Sequence, residues 1–168
     1  MAESLIVDKT LSLNELYENL QKQLEYLLIK EDHLLSNLSN FVAAIKQTFE
    51  KVSWVGFYIK DNDKLYLGPF QGKIACSSIK IGKGVCSTAV LEKKTIIVPD
   101  VNKFEGHIAC DSDSRSEIVV PLFKGDEVFA VLDLDSFELN SFNETDKKYL
   151  ENMCKFLSTF LTNKTNII

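Results

Sequence analysis

Hydrophobic residues fall at helical spacing in the first third of the chain. Leu13, Leu16, Tyr17, Leu20, Leu24, Leu27 and Leu28 follow Ser12, and Ser12 with Glu15 reads as a capping box. A second helix is predicted from about Ser36 to Lys51, with Leu38, Phe41, Ile45 and Phe49 inward. The pattern then changes to alternation. "SWVGFYIK", the turn "DNDK" and "LYLGPF" predict a hairpin, and "ACSSIKI" a further strand ending at the "GKG" turn. "STAVLEKK" reads as a short helix and "TIIVPDV" as a short strand. "SEIVVPLF" and "EVFAVLDLDSF" form a second hairpin with Gly125 in its turn. A last helix starts near Asn143, with Leu150, Met153, Cys154, Leu157 and Leu161 on one face. Helices at both ends of an antiparallel sheet predict an α+β fold, with the N- and C-terminal helices packed on one face. The expected organisation is one domain over 1–168: helices over about 12–51, sheet and loops over about 52–138, and a final helix over about 143–162.

Alternation also sorts side chains by face. Val128, Ala130, Leu132 and Leu134 are expected on one face of the last strand, and Phe129, Val131, Asp133 and Asp135 on the other. In "SEIVVPL", Ile118, Val120 and Leu122 share a face and Glu117 joins Val119 on the opposite one. If the two strands pair across "KGD", Glu117 comes close to Asp133 and Asp135. Trp54, Gly56 and Tyr58 share a face in the first hairpin. A pocket of three carboxyls and two aromatics is one outcome. Asp133 and Asp135 on the solvent face of an edge strand is the other. In the first, the carboxyls cannot all ionise cheaply, so one keeps a proton and can act as an acid, and together they favour a ligand ammonium.

Charge and cysteine usage narrow the chemistry. The chain has 168 residues, 45% hydrophobic and 26% charged, with a formal net charge of −5. Of its 19 basic residues only Arg115 is arginine, a poor composition for reading nucleic acid. The N-terminus lacks the basic and apolar regions of a signal peptide, and no stretch approaches the apolar length of a membrane span. The expected location is the cytoplasm, and the N-x-S/T triplets at Asn37, Asn143 and Asn163 are read as chance. Cys76, Cys86, Cys110 and Cys154 have long, unequal gaps, which argues against a structural zinc site; no metal is expected. Cys154 sits on an apolar helical stripe and reads as core. Cys110 lies on a polar loop three residues after His107, and Cys76 and Cys86 flank a glycine-bearing loop that could move. A cysteine oxidised to sulfenic acid needs a second thiol to resolve it, and these supply candidates.

The motifs "WVGFY", "LGPFQGKIAC", "IGKGVC", "VPDVNKFEGHIACDSDSRSEIVVPL" and "VLDLDSF", in this order, closely resemble the free methionine-(R)-sulfoxide reductase family, single-domain enzymes with a GAF fold. The resemblance covers roughly Trp54 to Phe142. It implies that Cys110 attacks the sulfoxide sulfur of free L-methionine-(R)-sulfoxide, that Cys76 resolves the sulfenic acid as a disulfide, and that Cys86 binds substrate or resolves in its place. It places Glu117, Asp133 and Asp135 on the substrate's polar groups and on proton delivery, and Trp54 and Tyr58 on an aromatic wall. It further implies thioredoxin as reductant, fed by NADPH, with no bound cofactor, a homodimer, and a role against oxidative stress. The family commonly has glycine where Ser87 stands, which bears on the mobility of the Cys86 loop. Arg115 matches no family role. Two other readings share these residues: a non-catalytic GAF sensor for a small ligand, and a thiol switch that forms the disulfide without turnover.

Overall fold

The structure, a computed structural model, describes residues 4–108 and 110–161. Two helices come first, α1 (Leu13–Leu27) and α2 (Leu34–Thr48), then strands β1 (Trp54–Asp61), β2 (Lys64–Gln71) and β3 (Ser78–Lys80). Helix α3 (Val85–Glu92), strands β4 (Ile96–Val98), β5 (Ser116–Lys124) and β6 (Glu127–Ser136), and helix α4 (Glu144–Ser158) complete it. The six strands form one antiparallel sheet in the order β3-β2-β1-β6-β5-β4.

The faces of the sheet carry different loads. Val55, Phe57, Ile118, Val120, Leu122, Ala130, Leu132 and Leu134 pack against the apolar stripes of α1, α2 and α4. The terminal helices thus share one face, as the pattern predicts. The opposite face holds Trp54, Tyr58, Val119 and Val131 with Val85, Cys86, Ala89 and Val90 of α3. The helix-covered face is continuous apolar core; the other, roofed by one short helix and loops, is where polar groups enter.

α1 begins with the Ser12–Glu15 capping box, and α4 with a box between Asn143 and Asp146. α2 runs from Leu34 rather than Ser36 and stops at Thr48 rather than Lys51, where Phe49 turns extended and still reaches the core. α3 starts two residues before "STAVLEKK", and β4 ends before Pro99, after which Val101–Lys103 make a turn of 3₁₀ helix. Cys76 precedes β3 instead of lying in a strand. The expected end of the last helix, at residue 162, and Asn163 lie outside the described residues.

One face assignment is corrected. Val128 belongs to the α3 side with Val131, and Phe129 packs on the helix-covered side. A bulge is the cause: Leu122 pairs with Ala130 but Phe123 with Val128, so Phe129 is skipped and the alternation inverts. Asn37 is buried; its side chain accepts from the Ile29 N–H and donates to the Ile29 carbonyl. No helix among the described residues is long and apolar enough to cross a membrane.

Candidate active site

Strand register assembles the floor of the site. β6 lies between β1 and β5, so it is not an edge strand. Glu117 of β5 pairs with Asp135, and Val119 with Asp133. From the other side, Trp54 pairs with Asp135 and Gly56 with Asp133. Glu117 and Asp133 are buried, at 5% and 6% exposure. Gly56 matters locally: a methyl group there would overlap the Trp54 indole and Phe70 Cβ. The indole therefore lies across the strand, stacked on Tyr58 and Phe70 at ring separations of 6.1 and 5.7 Å, and its Nε1 donates to the Lys73 carbonyl at 3.1 Å.

Loops and α3 supply the walls. Gly84 precedes α3 with φ 84°, and a side chain there would press on Ile108. Cys86, in the first turn of α3, is buried and its thiol donates to Asp133 Oδ2 at 3.3 Å. Ser87 Oγ accepts from the Gly82 N–H at 2.6 Å, so the residue that departs from the family pattern pins the loop before α3. The backbone of Arg115 donates to the Ser136 carbonyl and accepts from the Val101 N–H, which fixes the loop's exit into β5.

Cys76 and Cys110 are joined in a disulfide, with Cα atoms 5.4 Å apart. The Tyr58 hydroxyl donates to the Cys76 carbonyl at 3.1 Å and lies 4.0 Å from Cys110 Sγ. Lys73 Nζ ties the two cysteine loops together, reaching Asp113 at 2.5 Å and Asp111 at 3.4 Å. Between these loops, α3 and the sheet lies a cleft of about 410 Å³, counting its open mouth. Cys86, Glu117, Asp133 and Asp135 line it from below, with Cys110, His107, Ile108, Gly84, Ser114 and Asp111 around them.

Burial and crowding set the protonation. Desolvation, then the Asp135 charge, pushes the Glu117 carboxyl well up. Desolvation, Glu117 and Asp135 do the same to Asp133. Asp135 is raised less, to about 6, because desolvation is opposed by a Ser114 hydrogen bond and by His107. Asp133 Oδ1 is buried with no hydrogen-bond partner while both carboxyls are ionised; a proton shared between Asp133 and Glu117 joins the two. Burial followed by the Asp133 charge raises the Cys86 thiol, and burial followed by the same carboxylate raises the Tyr58 hydroxyl, so both stay protonated. His107 Nε2 stands 3.6 Å from Glu117 Oε2; burial lowers its pKa and Asp135 partly restores it. Cys86, Glu117 and Asp133 each place one ligand atom within 4.8 Å of the others, a donor set a divalent cation could use.

Seven of the eight residues singled out in the sequence surround one volume or touch the disulfide. Trp54 does not line the cleft; it stands behind Tyr58 and holds the Cys76 loop through Lys73. Ser114, Asp111, Ile108 and Gly84 were not anticipated, since loop closure alone decides which way they face. Along the chain His107 is a neighbour of Cys110; in the fold it faces Glu117. The signal that could have found it is its position in the same polar loop as Cys110, next to the strand that carries Glu117. Cys154 is buried in the helix-side core, as its stripe position predicts.

Residues 31–162 match the GAF domain family model. The chain is 53% identical over 158 residues to GAF domain-containing protein A of Dictyostelium discoideum, covering 94% of this chain and 99% of that protein. It is 39% identical over 165 residues to the free methionine-R-sulfoxide reductase of Saccharomyces cerevisiae, covering 94% and 92%. The X-ray structure of free methionine-R-sulfoxide reductase from Neisseria meningitidis in complex with its substrate matches with a TM-score of 0.90 and 41% identity over 95% of each chain.

Proposed function

We propose that this chain, which belongs to the GAF-domain family of free methionine-R-sulfoxide reductases, reduces free L-methionine-(R)-sulfoxide to L-methionine by thiol chemistry at Cys110. The observation that carries this reading is the Cys76–Cys110 disulfide at the rim of a cleft floored by buried carboxyls. In the reduced protein the Cys110 thiolate attacks the sulfoxide sulfur. The sulfoxide oxygen is a poor leaving group until protonated, and the Glu117–Asp133 pair holds a proton for it. As the bond from Cys110 to the sulfoxide sulfur forms, the protonated oxygen breaks away as water; a water then adds to the Cys110 sulfur, and methionine departs with the electron pair of the S–S bond, leaving Cys110 as a sulfenic acid. Cys76 then attacks the Cys110 sulfur, water leaves, and the disulfide results. Two electrons from a dithiol, thioredoxin charged from NADPH, restore both thiols. Cys86 stays protonated beside Asp133 and contributes to the substrate site.

Crowded acids beside a thiolate nucleophile look unfavourable, but a proton shared between Glu117 and Asp133 cuts the negative charge that faces it. The Tyr58 hydroxyl, kept protonated by its surroundings, stands ready as a hydrogen-bond donor to the Cys110 sulfur. Asp135, ionised above about 6, favours the substrate ammonium. That ammonium is missing when methionine is in a peptide, so a cleft that requires it excludes protein substrates. The reading places the enzyme in the cytoplasm, as a homodimer that needs no bound cofactor and protects against oxidative stress.

A coupled assay tests it. With thioredoxin, its reductase and NADPH, consumption is expected with the R epimer of free methionine sulfoxide, lost in Cys110→Ser. No consumption with either epimer, or equal activity on N-acetylated peptides, overturns the proposal or its substrate choice respectively. Cys76→Ser is expected to permit about one turnover per site and then stall, because no resolving thiol remains at that position. Sustained turnover in that variant would assign resolution to Cys86.

A further inference from the structure

We infer that Cys86, Glu117 and Asp133 form a binding site for a thiophilic divalent cation, zinc foremost, seated in the floor of the cleft where it shuts out the substrate. No spacing along the chain announces it, because the ligands come from α3, β5 and β6 and have none of the short spacings of a structural zinc site. The fold brings them together. Cys86 Sγ stands 3.3 Å from Asp133 Oδ2, and one atom of each residue lies within 4.8 Å of the other two. Bond lengths for zinc to sulfur and to carboxylate oxygen put tetrahedral ligands about 3.6 Å apart. Closing the triangle therefore takes side-chain shifts on the order of an ångström, with a fourth position left for water from the cleft.

An independent observation points the same way. Asp133 Oδ1 is buried and receives no hydrogen bond, inside a cleft that all three ligand residues line. A proton shared between Asp133 and Glu117 satisfies that oxygen only while it stays bound. A dication satisfies Asp133, Glu117 and the Cys86 sulfur at once, because three would-be anions then share two positive charges. The thiol selects the metal. Magnesium and calcium favour all-oxygen sets, whereas one thiolate with two carboxylates suits zinc, cobalt or cadmium. Binding exchanges the Cys86 proton, and any proton held between the carboxyls, for the metal; those protons leave to solvent and no redox change occurs. Cys76 and Cys110 take no part while disulfide-bonded, so the site exists in the oxidised protein.

The position gives the site a consequence that rests on the proposed reductase activity. The two carboxyls that hold the proton for the sulfoxide oxygen would be occupied by the metal, so cation and substrate exclude each other.

The oxidised protein, with its disulfide intact, is titrated with Co²⁺. One equivalent should bind with thiolate-to-cobalt charge-transfer absorption, and Zn²⁺ should displace it. Cys86→Ser should lose that absorption and bind zinc at least about tenfold more weakly, the scale on which one ligand of a metal site counts. Asp133→Asn keeps the thiol and should weaken zinc similarly, and Cys154→Ala, lacking the other free thiol, should keep the absorption. Absence of thiolate–cobalt absorption, or unchanged zinc affinity in both Cys86→Ser and Asp133→Asn, overturns the site. Free methionine-(R)-sulfoxide should shift the zinc titration to higher concentration. Zinc binding that is sound but indifferent to methionine sulfoxide would leave the metal site standing and overturn its exclusion of the substrate, whereas the coupled assay alone tests the substrate reading.

Discussion

Asp135 shows how one carboxyl is tuned by its place in the sheet. It stands opposite Glu117 on one side and Trp54 on the other, with a hydrogen bond from Ser114 and the charge of His107 acting on it. Its pKa rises from 3.8 to about 6 chiefly through desolvation. A carboxyl raised on folding binds more protons in the native than in the unfolded chain between those values. Its contribution to stability is therefore greatest below 3.8 and is lost as pH rises through about 6. That rise in pKa corresponds to roughly 3 kcal/mol at most, less for a side chain that keeps some exposure. Asp135→Asn should thus be more stable than the parent by about 1–3 kcal/mol near neutral pH. The difference should fade in acid, which urea unfolding at several pH values would reveal. A pH-independent difference would mean that packing, not ionisation, separates the two. The presence of this side chain on the same face as Asp133 is readable from alternation; its titration is not, since that depends on what the loop brings down on top of it.

At the scale of elements, the site depends on two loops held against each other. The loop after β2 carries Cys76, and the loop before β5 carries Cys110. Lys73 bridges them through Asp111 and Asp113, and its ammonium also lies 5.0 Å from the Phe137 ring. The Trp54 indole anchors the backbone of the same lysine. Exposed ion pairs contribute little and are screened by salt. Lys73→Met should therefore lower the tendency of Cys76 and Cys110 to form their disulfide by about two- to fivefold. Equilibration in glutathione buffers would measure the shift, and added salt should shrink it. An effect equal at low and high salt would contradict the electrostatic account. None of this was visible in "GKIAC" and "CDSDS", where the charges read as ordinary loop polarity. Likewise the bulge at Phe129, which sends Val128 to the α3 side, leaves no trace in the period of "EVFAVLDLD".

Across the whole molecule, the two faces of the sheet divide stability from chemistry. On the helix side, far from the cleft residues in the sheet, Asp146 of α4 is fully buried. It accepts from the Tyr17 hydroxyl of α1 at 2.8 Å and from Lys51 Nζ, before β1, at 2.6 Å. It also caps α4 by accepting from the Asn143 N–H. One carboxylate thus ties the first helix, the entry to the sheet and the last helix. Removing one partner of a buried pair costs about 3–5 kcal/mol, because the other is left uncompensated. Asp146→Ala should lose stability on that scale in denaturant unfolding. Its folded fraction should still form the Cys76–Cys110 disulfide, and failure to do so would show that the two faces are coupled.

The sequence by itself determined the local terms. Periodicity set the helices and strands, alternation put Asp133 and Asp135 on one face of their strand, and resemblance to a family picked out Cys76, Cys86 and Cys110. These follow from nearest-neighbour geometry along the chain, where spacing alone dictates which way a side chain points. Only the tertiary structure decided that β6 is central rather than an edge, that His107 faces Glu117, and that Cys86 shares a buried corner with two carboxyls. Those outcomes depend on strand order and loop closure, which bring together residues tens of positions apart. Burial then changes what the assembled groups can hold: a proton, an ammonium or a metal.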